Sequence, residues 1–324
     1  MGPEEAKQLA DNIIDNVSTV IIGKRHVVQH ALISAVCGGH ILIDDVPGVG
    51  KTVLAKSLSI SFGCSFKRVQ FTPDLLPSDV LGVSIYDQES RDFTFRPGPV
   101  MSQVLLADEV NRGTPKTQSA LLEAMEENQI TVDGVTHFLP KPFIVLATQN
   151  PLEHEGTFPL PEAQRDRFFM RVHLGYPTKD EEKEIMEQQQ EVHPIESLQP
   201  LTTPDQLISL QQTVRGIYVD DLVKQYIVDI VDATRKLDDV YVGVSPRGSL
   251  ALFRGSQARA LLDGRDYVSP DDVKGLVQPV LQHRIILSSA TRLQDTTAES
   301  VLGHVLDSIP VPGTSSRGWF RAES

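Results

Sequence analysis

Between Ile41 and Leu58 the chain reads ILIDDVPGVGKTVLAKSL, an apolar run, a turn with two glycines and a helical pattern with no spacer between them. This stretch constrains the fold most. A strand that passes through such a turn straight into a helix belongs in a sheet covered by helices. Gly48 and Gly50 let the backbone curl until successive N–H groups point inward, and the helix amino terminus adds partial positive charge, so the turn suits phosphate oxygens. Lys51 is placed to reach outer phosphates and Thr52 to hold a magnesium ion. The expected contacts of a nucleotide such as ATP are Val46, Pro47, Gly48, Val49, Gly50, Lys51, Thr52 and Val53. An ordinary glycine turn is the plain alternative, and the strand and helix on either side weigh against it.

The pattern G-x-x-x-x-G-K-[ST] asks for glycine where this chain carries Asp45. Two directions are open for its carboxylate. Pointing outward, it is screened by solvent; facing the phosphates, a repulsion of roughly a kcal/mol weakens binding about tenfold. The amides nearest the β-phosphate come from the intact Gly48 to Thr52 segment, so binding is expected to survive. Asp45→Gly is then expected to tighten it modestly or not at all.

Short apolar runs at 40–43, 66–71, 103–108 and 143–148 alternate with helical patterns, which predicts a mostly parallel sheet covered by helices over residues 1–176. After Tyr176-Pro177 strand-like runs nearly vanish, and residues 177–308 read as an all-helical domain. Two of its helices open on Thr-Pro-Asp or Ser-Pro-Asp-Asp, supplying a cap, a preset first-turn angle and negative charge at the positive end. Residues 309–324 read as a flexible tail, with Trp319 and Phe320 as a docking point.

A phosphate loop alone implies binding, not hydrolysis, so the later strands must supply a metal ligand and a base. In VLLADEVNR, Asp108 ends a strand and can hold magnesium; Glu109 can polarise an attacking water. A solvated Asp-Glu pair is the bland alternative. FIVLATQN ends at Asn150, whose amide can hold the same water, although Asn-Pro is also a common turn opener. Arg165 and Arg167 fall on a helix-to-strand corner and Arg247 just inside a helix, each a surface residue or a γ-phosphate ligand.

Taken in order, VPGVGKT, LLADEVNRGTPKTQSALLEAMEE, VLATQNP, FPLPEAQRDRFFMR and VSPRGSLALF resemble the MoxR family of AAA+ ATPases, from roughly Ile22 to Leu287. The resemblance implies that Asn150 is the sensor-1 residue, Arg167 the arginine finger offered to a neighbouring subunit (Arg165 the second choice) and Arg247 the sensor-2 residue. It implies an α/β core with a mostly parallel five-stranded sheet followed by an all-α lid, a ring, a hexamer by the family pattern, and magnesium-dependent ATP hydrolysis that remodels or matures a protein partner, often beside a von Willebrand factor A domain protein. Two hairpins, over 81–98 and over 129–139 with Asp133-Gly134 at its turn, match inserts of this branch. Tyr86, Phe93 and Phe95 become substrate-contact candidates, against the reading that both are plain surface hairpins.

Composition narrows the alternatives. A net charge of −13 opposes non-specific binding to nucleic acid, which disfavours a helicase-type motor. No apolar run approaches the ~20 residues that span a bilayer, and Cys37 and Cys64 form no disulfide framework, so a cytoplasmic protein without membrane insertion is expected. A magnesium-chelatase-like motor subunit stays open. A scaffold that binds ATP without hydrolysing it has no need of Glu109.

Overall fold

The structure, a computed structural model, describes residues 1–89, 91–151, 156–190, 192–294 and 296–313. The proposed docking point at Trp319 and Phe320 lies outside the described residues. Two helices, α1 (Pro3–Ser18) and α2 (Arg25–Val36), precede β1 (Ile41–Asp44), α3 (Lys51–Ser61) and β2 (Phe66–Gln70). A short helix α4 (Pro77–Leu81) opens the hairpin β3 (Gly82–Asp87) and β4 (Asp92–Pro97). Next come β5 (Val104–Asp108), α5 (Pro115–Glu127) and the hairpin β6 (Gln129–Val132) and β7 (Val135–Phe138). The strand β8 (Ile144–Gln149), α6 (Glu162–Arg165) and β9 (Met170–Val172) complete this half.

The five-stranded sheet has the order β2-β5-β8-β1-β9, and every pairing in it is parallel. Its strands are short and nearly all apolar because helices cover both faces. Side chains alternate between two cores: Ile41, Ile43, Val104, Leu106, Ile144 and Leu146 pack on one face, and Leu42, Leu105, Ala107, Val145 and Ala147 on the other. At the amino end of β1 the buried His40 ring bridges these layers. Its Nε2 bonds the Met125 carbonyl at 3.1 Å and its Nδ1 accepts the Val145 N–H at 3.1 Å.

The rest of the chain is helical: α7 (Lys179–Gln188), α8 (Pro204–Val214), α9 (Asp221–Lys236), α10 (Pro246–Leu262), α11 (Pro270–Leu281), α12 (Ser289–Arg292) and α13 (Ala298–Ser308). The expected caps are in place. Thr203 Oγ1 accepts the Gln206 N–H at 3.3 Å, and Asp272 Oδ2 accepts the Ser269 N–H at 2.7 Å. One short antiparallel pair, β10 (Val240–Val242) with β11 (Ile286–Leu287), is added to the helices. The change of secondary structure near Tyr176 is not a break in packing: a single apolar cluster joins α1, α2 and one sheet face to α9, α10 and α11.

Both hairpins form. Asp133 and Gly134 take φ of 50° and 79°, the positive pair that a type I′ turn requires. Tyr86 and Phe93 stand exposed and edge-on at 5.4 Å, whereas Phe95 is half-buried and stacks on His137 of the second hairpin at 3.9 Å. Phe95 thus joins the two hairpins, which removes much of its surface from any contact with another molecule. No helix among the described residues is long and apolar enough to cross a membrane.

Candidate functional site

Parallel strands bring their carboxyl ends to one edge, where the loops after β1, β5 and β8 meet. After β1, Gly48 and Gly50 adopt φ of 86° and 92°, conformations costly for any side chain, and Gly50 caps α3. Lys51 is then the first residue of α3, buried, with its Nζ on the Asp45 main-chain carbonyl at 2.8 Å. Thr52 follows in the first helical turn, and Val49 and Val53 pack against the core beneath it. A pocket of about 270 Å³ opens beside this loop, walled by Ile22 and Lys24 on one side and by Leu174, Gly175 and Pro177 on another.

Asp45 adopts neither of the two expected directions. It is only 7% exposed, and its Oδ2 accepts the backbone N–H groups of Leu174 at 2.5 Å and Gly175 at 3.0 Å. The outward, solvent-screened carboxylate is therefore incorrect. The segment leaving β9 passes close enough to offer two amides, and a buried carboxylate that accepts them is better satisfied there than against phosphates. The neighbouring Asp44 pairs with Arg171 of β9 at 2.6 Å, so both acidic residues grip one strand and its exit.

At the ends of β5 and β8 the acids are held in fixed positions. Asp108 accepts the Thr148 hydroxyl on Oδ1 at 2.6 Å and the Arg68 Nη2 on Oδ2 at 2.7 Å. Thr148 Oγ1 also accepts the Glu109 N–H at 2.8 Å, so one hydroxyl links the two carboxylate residues. Glu109 takes a left-handed φ of 55°, sparsely populated for a residue with a side chain, which turns its carboxylate away from the strand. Gln70 at 2.7 Å and Arg112 at 3.0 Å both donate to Glu109 Oε2. Asn150 stands beyond them, its carbonyl accepting the Asn111 amide at 3.3 Å. The arrangement can hold a cation at Asp108 and orient a water at Glu109, with phosphate at the β1 loop.

The arginines divide between two places. Arg165 lines a cleft of about 700 Å³ with Asp44 and Asn150, on the phosphate-loop side of its own chain. Burial pulls its guanidinium below the usual range, and Glu162 at 3.9 Å opposes that. Arg167 and Arg247 sit elsewhere. They bind the two oxygens of Glu126 at 3.0 Å and 2.5 Å, at the carboxyl end of α5. Ser245, the α10 cap, donates to Asp166 at 2.8 Å, which seats the start of α10 against the Arg167 corner. Because Met170 pairs with Ile41 and Val172 with Ile43, Arg167 lies near the amino ends of the strands. The loop follows their carboxyl ends, a strand length of about 13 Å away at ~3.3 Å per residue. Neither arginine therefore serves its own chain's loop in this arrangement.

Sequence reasoning missed the residues that hold the two candidate acids in place. Thr148 was detectable, because it is a hydroxyl near the end of an apolar strand, two residues short of Asn150. Arg68 and Gln70 alternate along β2 as surface residues would, and Glu126 lies in an acidic helical run, so none of the three carries a distinguishing signal.

Known proteins resemble this chain along most of its length. Residues 40–170 match the ATPase family associated with various cellular activities (AAA), and residues 232–304 match the AAA lid domain. The chain is 48% identical to the uncharacterized protein YeaC of Bacillus subtilis, over 95% of this chain and 97% of that protein. It is 40% identical to the chaperone MoxR1 of Mycobacterium tuberculosis, over 93% of this chain and 82% of that one. A solved structure of a Cytophaga hutchinsonii protein superposes with a TM-score of 0.90 at 37% identity, covering 95% of this chain and 96% of that one. With a glycine loop, an Asp-Glu strand end and a helical lid in one order, and relatives matched along nearly their whole length, the chain belongs to the MoxR family of AAA+ ATPases.

Proposed function

We propose that this ATPase works as a ring, a hexamer by the family pattern, in which each copy binds ATP with magnesium and receives its neighbour's arginines. In this reading Gly48 to Val53 hold the phosphates, Thr52 and Asp108 hold the metal, Glu109 orients the attacking water and Asn150 fixes it from the β8 side. The observation that carries the reading is the charge at the other end of the sheet. One cleft there brings Arg167, Arg247, Arg254 and Arg284 together with Glu126 and Asp166, and Glu123 and Glu127 line the adjoining cleft beside Arg167. Arg167 and Arg247 converge on the one carboxylate of Glu126, and two guanidinium groups brought to one point favour an anion arriving from another molecule, for which a neighbour's γ-phosphate fits. On this basis Arg167 is preferred over Arg165 as the finger, and Arg247 acts beside it across the same interface rather than on its own loop. The chain then divides near Tyr176-Pro177 into a nucleotide-binding core and a lid.

Hydrolysis is used to remodel a protein partner, a von Willebrand factor A domain protein being the partner type the resemblance suggests. The chaperone name of a 40% identical relative supports that use over a chelatase or nucleic-acid motor. Exposed Tyr86 and Phe93 on the first hairpin are the contact candidates. The test is steady-state ATP hydrolysis with magnesium over a range of protein concentration, on the wild type and Glu109→Gln, with particle mass measured in parallel. Specific activity should rise as rings form and disappear in the variant. Intact ATP binding without hydrolysis at any concentration would overturn the reading.

A further inference from the structure

The residue that departs from the phosphate-loop pattern has a position of its own in the fold. Asp45 follows β1 directly, and its N–H is bonded to the Gln149 carbonyl at the end of β8, so its backbone is fixed by the sheet. From there the carboxylate reaches across to the segment leaving β9 and accepts two consecutive N–H groups, from Leu174 and Gly175, on a single oxygen. The same residue's carbonyl holds the Lys51 ammonium. One residue therefore contacts the phosphate-binding lysine through its main chain and a wall of the adjoining pocket through its side chain.

That wall is pinned a second time. Lys24, on the opposite side of the pocket, donates to the Tyr176 carbonyl at 3.0 Å and lies 3.8 Å from Glu181, whose carboxylate caps the Thr178 N–H that opens α7. Leu174 to Thr178 is thus held between an acid on the loop side and a base on the amino-terminal side. Gly175 itself takes φ of 63°, a conformation that presents its N–H to Asp45 next to that of Leu174. A chain segment with positive φ and no regular structure has no strand or helix partner for these amides, so an outside acceptor must hold it.

We infer that Asp45 is a positioning residue for nucleotide binding: by accepting the Leu174 and Gly175 amides it fixes the linker wall of the pocket beside the phosphate loop. This rests on the reading of Gly48 to Thr52 as the nucleotide site. It reverses the sign expected from the sequence pattern. Glycine at position 45 restores the common motif but leaves the buried Leu174 amide and the part-buried Gly175 amide without an acceptor and the wall untethered, so Asp45→Gly weakens binding. Asparagine keeps a carbonyl oxygen at the same reach and should retain most of the function.

The test measures nucleotide dissociation constants and KM against kcat for wild type, Asp45→Gly, Asp45→Asn and Lys51→Ala, with hydrogen exchange at Leu174 and Gly175 read without nucleotide. Expected are a rise in Kd and KM of about tenfold in Asp45→Gly, with kcat changed less, and near-wild-type values in Asp45→Asn. Exchange at the two amides should accelerate in Asp45→Gly alone, while Lys51→Ala loses binding with its exchange pattern intact. Wild-type affinity or better in Asp45→Gly would overturn the inference, as would a loss in Asp45→Asn as large as in Asp45→Gly. If Lys51→Ala binds nucleotide as the wild type does, the site reading itself fails and takes the inference with it; a normal Asp45→Gly beside a defective Lys51→Ala sinks the inference alone.

Discussion

The two ends of the central sheet are built on opposite plans. At the carboxyl ends, Asp44, Asp45, Asp108 and Glu109 each have partners within the chain: Arg171, two amides, Arg68 with Thr148, and Gln70 with Arg112. At the amino ends, Arg167 and Arg247 share the single carboxylate of Glu126. The first end is organised by the fold of one chain. The second gathers two guanidinium groups on one carboxylate, the arrangement proposed above for the part of the site lent to a neighbour.

The sharpest way to break that comparison is Arg167→Ala, which should lower turnover by ~10³-fold or more while leaving ATP binding intact. Arg165→Ala, on the loop side, should cost roughly tenfold at most on the same scale, and a reversal of the two would exchange their roles. Glu109→Gln tests the self-contained end: kcat should fall by ~10²–10⁴-fold with nucleotide still bound in an equilibrium assay. Thr148→Val takes the shared hydroxyl from Asp108 and Glu109 and should reduce kcat about tenfold and lower Tm, since a buried acceptor and an amide each lose a partner. Retention of full activity would show that Arg68 and Gln70 suffice to place the acids.

The smallest expected effect concerns pH. Burial holds the His40 imidazole down to about 4, with its bond to the Met125 carbonyl opposing the shift. Burial also lowers His30 to about 4, reinforced by His26 and Arg259. Both rings ordinarily titrate near 6.5, so the unfolded chain binds more protons between those values. Their contribution to stability is complete above about 6.5 and is lost as pH falls toward 4. Thermal unfolding should therefore show Tm decreasing by several degrees from pH 7 to pH 5, at about 2–4 °C per kcal/mol, and less in His40→Gln. An unchanged Tm over that range would mean that both rings are charged when folded.

The sheet was legible because short apolar strands between helical patterns leave few alternatives, and Gly48, Gly50 and Lys51 identify the loop by chemistry that few other arrangements need. Asp108, Glu109 and Asn150 stood out as candidates because Asp108 ends β5, Glu109 follows it and Asn150 follows β8. Asp45 was misread because its partners are main-chain amides 129 and 130 residues away, and backbone groups leave no trace in a residue pattern. The pairing of Arg167 and Arg247 was hidden too. It depends on how α10 docks, through Ser245 and Asp166, against a corner far away in sequence.

The apolar cluster that runs unbroken from α1 and α2 through one sheet face into α9, α10 and α11 sets the mechanics of the molecule. Swinging the helical half outward would expose that seam to water at about 25 cal/mol for every Å² of apolar surface, so a flap-like stroke is opposed by the whole length of the joint. The inexpensive displacement is of the chain as one stiff body. In the proposed ring, work done at the phosphate loop would then emerge as a tilt of one copy against the next, with the arginine end of the sheet as the lever arm.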